Sequence, residues 1–134
     1  MSTRDRLSVV NPDSLARPVG YNNGIKGQGE LLFVAGQIGW TRERRLVSED
    51  LVAQFAQALE NVLEVVWAAG GRSESNARMT LFVTSKAEYR RRSKALGAAY
   101  RKRMGKHFPA MTLVEVKSLF DDGAKVEIEA TALL

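Results

Sequence analysis

The sequence predicts an α+β protein in which one β-sheet carries two helices on the same face. Two long segments have apolar residues at helical spacing, and several shorter segments run apolar or alternate as strands do. The two kinds of segment are interspersed along the chain. Because both present an apolar surface, packing the helices on the sheet buries both surfaces in one core.

The composition is that of an ordinary globular protein. Of the 134 residues, 45% are apolar and 26% are charged, which suffices for a buried core. We interpret residues 1–134 as a single domain whose residues 1–10 form a flexible N-terminus. No apolar run reaches the roughly 20 residues that cross a bilayer, and the first residues lack the apolar stretch of a signal peptide. We therefore expect a cytoplasmic protein that does not associate with membranes.

The N-terminal part predicts a β-hairpin. Residues 19–25 and 26–29 contain turn-prone runs rich in asparagine and glycine. They precede residues 31–35, a short apolar run that is typical of a buried strand. We expect this strand and the segment before it to pair with each other.

Two helices are predicted. The first covers residues 48–69, with Ser48 as its N-cap and two glycines after its end. Its apolar face consists of Leu51, Phe55, Leu59, Val62 and Val66. The second runs from Ser85, which fits a capping box, to Gly105. Its inward stripe consists of Tyr89, Ser93, Leu96, Tyr100 and Met104.

Three further strands are predicted around the second helix. Residues 76–84 precede it, and residues 111–117 and 125–133 follow it. The last strand alternates strictly, with apolar residues on one side and polar residues on the other. The polar side consists of Glu127, Glu129 and Thr131.

The face of the sheet without helices is expected to carry apolar side chains. Residues 31–35 are apolar on both sides of their strand, and Phe82 points away from the helices. Burying one such Leu or Phe is worth about 1.5–3 kcal/mol, so leaving several in water would be costly. The pattern alone therefore predicts that another subunit covers this face, although it does not give the number of subunits.

Four stretches together resemble the Rid (YjgF-type) family. They are FVAGQIG at 33–39, QALENVL at 57–63, FPA at 108–110 and VEIEA at 126–130. Each stretch is weak alone, but their order and spacing are specific. The match spans nearly the whole chain, from about Asn11 to the C-terminus.

The resemblance implies a chorismate-mutase-like homotrimer whose sheets face inward to form a central barrel, with three clefts between subunits. Family members that act as enzymes hydrolyse reactive enamines and imines, such as those released by pyridoxal-phosphate enzymes, to keto acids and ammonia. An imine carbon is already electrophilic and needs only a positioned water. The resemblance therefore implies a small-molecule ligand at the subunit interface and no cofactor.

The resemblance places a candidate catalytic acid on the last strand. In deaminating members a glutamate there helps to position the attacking water, and the matching residue is Glu127. A carboxylate within hydrogen-bond reach can orient and deprotonate water. Glu129 shares the same face, and a solvated or interface glutamate explains both residues equally well. Only the resemblance separates them.

The resemblance also implies a set of substrate-binding residues. They are Tyr21, Gly36, Gln37, Ser93, Ala110 and Met111. Gly36 lets a ligand approach the backbone closely. Tyr21 fits either pocket lining or packing over the sheet, and Ser93 lies near the position where deaminating members often have asparagine.

The main departure from the deaminating pattern is Met111. Deaminating members have an arginine there, which grips the substrate carboxylate with two parallel hydrogen bonds. A charge-assisted hydrogen bond contributes roughly 1.5–3 kcal/mol, so its loss weakens binding of a 2-imino acid by about 10- to 100-fold. Methionine also makes the pocket more apolar and adaptable. We therefore expect poor deamination of 2-aminoacrylate.

The net charge of +5 is concentrated in the second helix, where eight lysines and arginines lie within residues 90–106. Such a cluster attracts polyanions, but most of these residues lie off the inward stripe and few aromatics are present for base stacking. A solvated face is therefore favoured over nucleic-acid binding. His107 follows the helix end and is interpreted as capping it. No cluster of His, Asp or Glu has ligand spacing, so no metal site is predicted.

Three functions stay open on the sequence. The first is hydrolysis of a reactive enamine or imine, less acidic or neutral, in a more apolar interface pocket; it rests on Glu127 and Gly36. The second is a non-catalytic trimer that holds an apolar metabolite in the same cleft, which Met111 favours. The third is RNA binding or ribonuclease-like activity through the basic helix. The residues favour them in this order, the first only narrowly over the second.

Overall fold

A four-stranded mixed sheet forms the centre of the fold, in a computed structural model that describes residues 7–134. The elements are β1 (Leu7–Val10), β2 (Gly24–Gly27), β3 (Leu31–Ile38), α1 (Leu51–Ala68), a 3₁₀ turn (Ser73–Ser75), β4 (Asn76–Val83), α2 (Lys86–Arg91), α3 (Ser93–Met104), β5 (Ala110–Glu115) and β6 (Val126–Leu133). The strand order is β3-β6-β4-β5, with β6 antiparallel to both neighbours and β4 parallel to β5. The predicted α+β class is confirmed.

The core lies between the sheet and the helices. The apolar side of β6 is buried along its whole length, as strict alternation predicts. Helix α1 packs on β3 and β6, and α3 packs beside α1. The largest side chains that they bury together are Leu51, Phe55, Leu59, Leu63, Met79, Leu81, Met104 and Ile128. Both long helices therefore cover one face of the sheet, as predicted.

Helix α1 begins at Leu51, and Asp50 caps it. The Asp50 carboxylate accepts a hydrogen bond from the Ala53 backbone N–H at 3.0 Å. The prediction of Ser48 as the cap is wrong by two residues, because the Ser48 hydroxyl accepts from the Asp50 N–H instead. The Arg92 guanidinium donates to Asp50 at 2.8 Å and holds the pKa of that carboxyl below its usual value. An anion at this helix start also suits the helix dipole.

The second predicted helix is two helices. Arg92 leaves helical geometry at φ −98° and ψ 15°, and separates α2 from α3. Ser85 caps α2 by accepting from the Glu88 N–H at 3.1 Å. The apolar end of the predicted stripe is buried in α3, whereas Ser93, the first residue of α3, is exposed.

The predicted N-terminal hairpin does not form. Strand β2 pairs with β1, and β3 pairs with β6 in the main sheet. Because β3 is apolar on both sides, it gains more burial inside the four-stranded sheet than in a two-stranded hairpin. Residues 7–10 of the predicted flexible N-terminus are strand β1, and residues 1–6 lie outside the described residues.

A bulge in β3 is fixed against α1. The pairing of β3 with β6 shifts register between Val34 and Gln37, as strands do at a β-bulge. The Asn61 side chain on α1 donates to the backbone oxygens of Ile38 and Trp40 at 3.1 and 3.0 Å. At Gly39, a β-carbon would lie 2.5 Å from the backbone of α1, so only glycine permits this approach. These contacts hold the bulge in place and leave Gly36 on its exposed side.

The opposite face of the sheet carries exposed apolar side chains. Phe33 is 74% exposed and Leu31 is 57% exposed on β3, and Phe82 of β4 is half-buried. Glu127 and Glu129 lie on the same face of β6. A single chain therefore leaves uncovered the face that the sequence predicts to be apolar. Among residues 7–134, no helix has the length and hydropathy needed to cross a bilayer.

Gln54 ties α1 to the turn before β6. Its side chain is fully buried, and its amide donates to the backbone oxygens of Ser48 and Gly123 at 2.9 and 3.0 Å. Its oxygen accepts from the Lys125 N–H at 2.8 Å. One side chain thus satisfies one backbone group before α1 and two at the start of the strand that carries Glu127.

We predict that Gln54→Met lowers the free energy of unfolding by at least about 2 kcal/mol, because it leaves these buried backbone groups unpaired. Urea denaturation measures the change. Gln57→Met is the matched control, since Gln57 bonds only to Asn61 within the same helix. Equal stability of the two variants would show that Gln54 does not anchor the turn.

Candidate functional site

The backbone of Gly36 lies against the side chain of Glu127. A β-carbon at position 36 would lie 2.6 Å from the Glu127 Oε2 atom, so any side chain there would displace the carboxylate. The Glu127 carboxylate is half-buried and makes no hydrogen bond with residues 7–134. Two predicted site residues from distant parts of the sequence therefore meet, and the carboxylate oxygens can accept from a water or a ligand.

The structure distinguishes Glu127 from Glu129, which the alternating pattern could not. Glu127 pairs with Phe82 of β4 near the β3 bulge. Glu129 is exposed and lines a shallow depression of about 170 Å³ with Arg78 and Thr80. Of the two glutamates, Glu127 is the one whose carboxylate occupies the space that a glycine leaves, at Gly36.

Gln37 follows Gly36 at the bulge. Its side-chain amide donates to the Ala35 backbone oxygen at 3.2 Å, and the residue is half-buried. This short local bond holds the amide near the exposed edge of β3. Gln37 is therefore close in the chain to the Gly36–Glu127 contact, with its amide engaged by the backbone.

The segment with Tyr21 is held at the start of β5. Asn22 forms a bridge with Ala110, and its backbone N–H donates to Pro109 O at 3.1 Å. The Asn22 side chain also donates to Phe108 O at 2.6 Å. Tyr21 itself is 38% exposed. The early loop and the Phe-Pro-Ala motif, far apart in sequence, are thus joined as the site prediction requires.

A second group of predicted residues surrounds an apolar cavity of about 340 Å³. Met111 of β5 and Ser93 of α3 both line it, and so do Val19 and Gly20 of the early loop. Its volume lies within the range of small-molecule sites. The cavity brings Ser93, Met111 and the neighbourhood of Tyr21 together.

The cavity also contains polar residues that the sequence did not assign to a site. Tyr89 and Arg101 line it, although the sequence predicts Tyr89 as a core residue and Arg101 as part of a solvated face. Burial raises the pKa of the Tyr89 phenol, so its hydroxyl stays protonated at neutral pH and can donate a hydrogen bond. The one feature of the sequence that could have pointed to Arg101 is Gly97, a glycine inside the predicted helix four residues before it.

The Gly36–Glu127 contact and the cavity of Met111 lie on opposite faces of the sheet. Met111 pairs with Met79, whose side chain is buried beneath the helices. Glu127 pairs with Phe82, which points to the other face. Because side chains in register across a sheet share a face, a single chain cannot place Glu127 in the cavity of Met111. A pocket that contains both must take them from two chains.

His107 and part of the basic cluster have structural partners. The His107 ring contacts Asn76 O at 2.6 Å through Nε2, beside the end of α3. Arg92 pairs with Asp50, and Arg103 pairs with Glu60 at 3.0 Å. Two of the eight cations are therefore neutralised by acidic groups. Within residues 7–134, no group of three or more His, Asp or Glu side chains is placed to hold a metal ion.

Comparison with known protein sequences matches the chain to one family and to its members. A family model described as Endoribonuclease L-PSP matches residues 12–134. A 2-iminobutanoate/2-iminopropanoate deaminase from Salmonella typhimurium is 35% identical over 108 residues, which are 78% of this chain and 80% of that protein. The RutC family protein PH0854 of Pyrococcus horikoshii is 30% identical over 126 residues, 92% of this chain and 95% of the relative.

Solved structures share the fold. A Yersinia pestis protein described as YyfB of the conserved Rid protein family, of unknown function, superposes with a TM-score of 0.85 at 29% identity. The match covers 96% of this chain and 99% of that one. Escherichia coli TdcF with bound serine superposes with a TM-score of 0.69 at 25% identity and covers 95% and 98% of the two chains.

We predict an energetic coupling between positions 36 and 127. Gly36→Ala should destabilise the protein by about 1–2 kcal/mol, because the new methyl group collides with the carboxylate. The cost should fall by at least about 0.5 kcal/mol in a Glu127→Ala background, where the collision is gone. Urea denaturation of the four proteins of this cycle measures the coupling. The same cycle with Glu129→Ala should be additive, and additivity in both cycles would contradict the close contact.

Proposed function

Because the chain belongs to the Endoribonuclease L-PSP (Rid) family, we propose that it hydrolyses reactive enamine or imine metabolites at pockets between the subunits of a homotrimer. The observation that carries the proposal is the contact of Gly36 with Glu127, a half-buried carboxylate that makes no hydrogen bond within residues 7–134. A relative that is 35% identical is named an imine deaminase, which supports the same chemistry.

The proposed chemistry needs one carboxylate and one water. Glu127 accepts a proton from water as the oxygen attacks the electrophilic imine carbon. The carboxylate gives this proton to the imine nitrogen, which completes a carbinolamine. It then carries the hydroxyl proton of the carbinolamine to the same nitrogen, and the carbon–nitrogen bond breaks to release ammonia and a carbonyl compound. No cofactor enters this sequence, because water supplies the only atoms that are added.

The separation of the two groups of site residues supports an assembly. One chain presents Glu127 on one face and the Met111 cavity on the other. Contact between two different faces of identical chains is heterologous, and such contacts form a closed ring when the rotation between neighbours closes. The exposed Phe33 supplies apolar surface for that contact. Three copies is the number that the resemblance to the family implies.

The pocket is proposed to be more apolar than that of ordinary deaminating relatives. Met111 lines the cavity together with aromatic side chains of Phe55, Tyr100 and Phe108. An arginine at position 111 would grip a carboxylate at this wall, whereas methionine offers an adaptable apolar surface. We therefore expect larger, more apolar imines to be better substrates than 2-aminoacrylate.

A non-catalytic binding role uses the same cavity and is the second candidate. The apolar wall at Met111 favours it, since a metabolite can be held without reaction. Dependence of turnover on Glu127 separates the two candidates. Ribonuclease-like activity, which the family description names, ranks third, because the His107 ring is engaged by Asn76 O and two basic residues are already paired.

We predict that Glu127→Ala lowers kcat/KM for imine hydrolysis by at least about 100-fold, the usual contribution of a positioned general base. Imines generated by an amino-acid oxidase or an amine oxidase serve as substrates, and ammonia release is the readout. Glu129→Ala is the matched control on the same strand face and should keep most of the activity. Equal activity of the two variants, or no turnover of any imine above the buffer rate, would refute the hydrolase proposal.

We predict that the protein sediments at about three times the 14.8 kDa mass of one chain. Phe33→Glu should shift it to the monomer, because a charge replaces exposed apolar surface in the proposed contact. Phe120→Glu is the control, since Phe120 is 98% exposed in a loop outside the sheet. Sedimentation of the unsubstituted protein as a stable monomer would contradict the assembly.

A further inference from the structure

The cavity of Met111 contains one charged side chain. Among the described residues that line it, Arg101 is the single cation, and no carboxylate accompanies it. Arg101 takes part in none of the ion pairs formed within residues 7–134. Arg101 is exposed, so solvent screens part of its charge, but an anion held against the apolar wall is screened less than one in open water. The cavity therefore has a charge that no carboxylate within residues 7–134 pairs with.

The position of the Arg101 side chain depends on Gly97. Residues four apart lie on the same side of a helix, and the Arg101 Nη1 atom lies 3.1 Å from where a Gly97 β-carbon would be. Glycine inside a helix is less favourable than alanine by about 1 kcal/mol. Its presence in α3 is explained here by the space that it leaves for the guanidinium along the helix surface.

A hydrogen-bond donor lies in the same cavity. Tyr89 lines it from α2, and its hydroxyl makes no hydrogen bond within residues 7–134. The hydroxyl stays protonated at neutral pH for the reason given above. A guanidinium and a neutral phenol are both donors, and a carboxylate is an acceptor with two oxygens. The Arg101 guanidinium and the Tyr89 hydroxyl together therefore suit a ligand with one carboxylate.

We infer that Arg101 is a carboxylate anchor and that the ligand is a monocarboxylate with an apolar chain or ring. The carboxylate bonds to the Arg101 guanidinium, with Tyr89 as a second donor. The apolar part lies against Met111 and Phe108 on the opposite wall. The expectation of a less acidic or neutral substrate, which rests on Met111 alone, is replaced by that of an acid whose charge is held from the helix. This inference rests on the proposed function for the use of the cavity.

The test compares two probes of the same shape. Isothermal titration with 3-phenylpropanoate and 3-phenylpropanamide measures the preference of the assembled protein for the acid. We expect the acid to bind about 10- to 100-fold more tightly than the amide. Arg101→Met should abolish that preference, because it weakens binding of the acid more than binding of the amide. Lys102→Met, which removes the adjacent charge outside the cavity, should keep the preference.

A second variant tests position rather than charge. Gly97→Ala keeps the arginine but places a methyl group 3.1 Å from the present position of its Nη1 atom, so the guanidinium must shift by a few tenths of an ångström. Alanine favours the helix, so loss of folding does not explain a change. We expect a reduced acid preference. An acid preference that survives Arg101→Met, or the absence of binding by either probe, would overturn the inference.

The experiments distinguish failure of the proposed Arg101 anchor from failure of the proposed hydrolase activity. Arg101-dependent acid binding without ammonia release from any imine would support the anchor and refute the hydrolase. Glu127-dependent ammonia release with equal binding of acid and amide would refute the anchor and support the hydrolase. Loss of both would refute both.

Discussion

Strict alternation along β6 is the constraint on which the site depends. It places Ile128 and its neighbours in the core and Glu127 on the opposite face. Strand β5, which pairs in parallel with β4, places Met111 on the core side, facing the cavity. No rotamer of either side chain can cross the sheet between them. A pocket that uses both residues must therefore be formed by two chains. The exposed Phe33 marks apolar surface that a single chain leaves in contact with solvent.

Much of this arrangement could be predicted from the sequence, because its signals are local. Alternation in β6 and helical spacing in α1 each depend on neighbouring residues, and both are confirmed. The resemblance of the glycine-containing stretch to a pocket wall stays a prediction. Its contact with Glu127, however, explains physically why a glycine stands at position 36.

The features that could not be predicted depend on distant partners. The predicted N-terminal hairpin does not form, because β3 pairs with β6, about a hundred residues later in the chain, and β2 pairs with β1. The cap of α1 is Asp50, which also bonds to Arg92 at the helix break. The helical pattern places Arg101 on a solvated face, and the residue is exposed, but only the tertiary structure shows that it also lines the cavity with Tyr89. Each error or omission comes from a contact that no local pattern records.

The most direct test of a shared pocket is complementation between two inactive variants. Glu127→Ala removes the proposed catalytic carboxylate, and Ser93→Trp fills the cavity with a residue that starts on the surface. Each variant alone should be inactive. When they are unfolded together and refolded as mixed trimers, random mixing should restore about a quarter of the sites, because one neighbour supplies Glu127 and the other an open cavity. Ammonia release at that level supports the account, and a mixture as inactive as its components contradicts it.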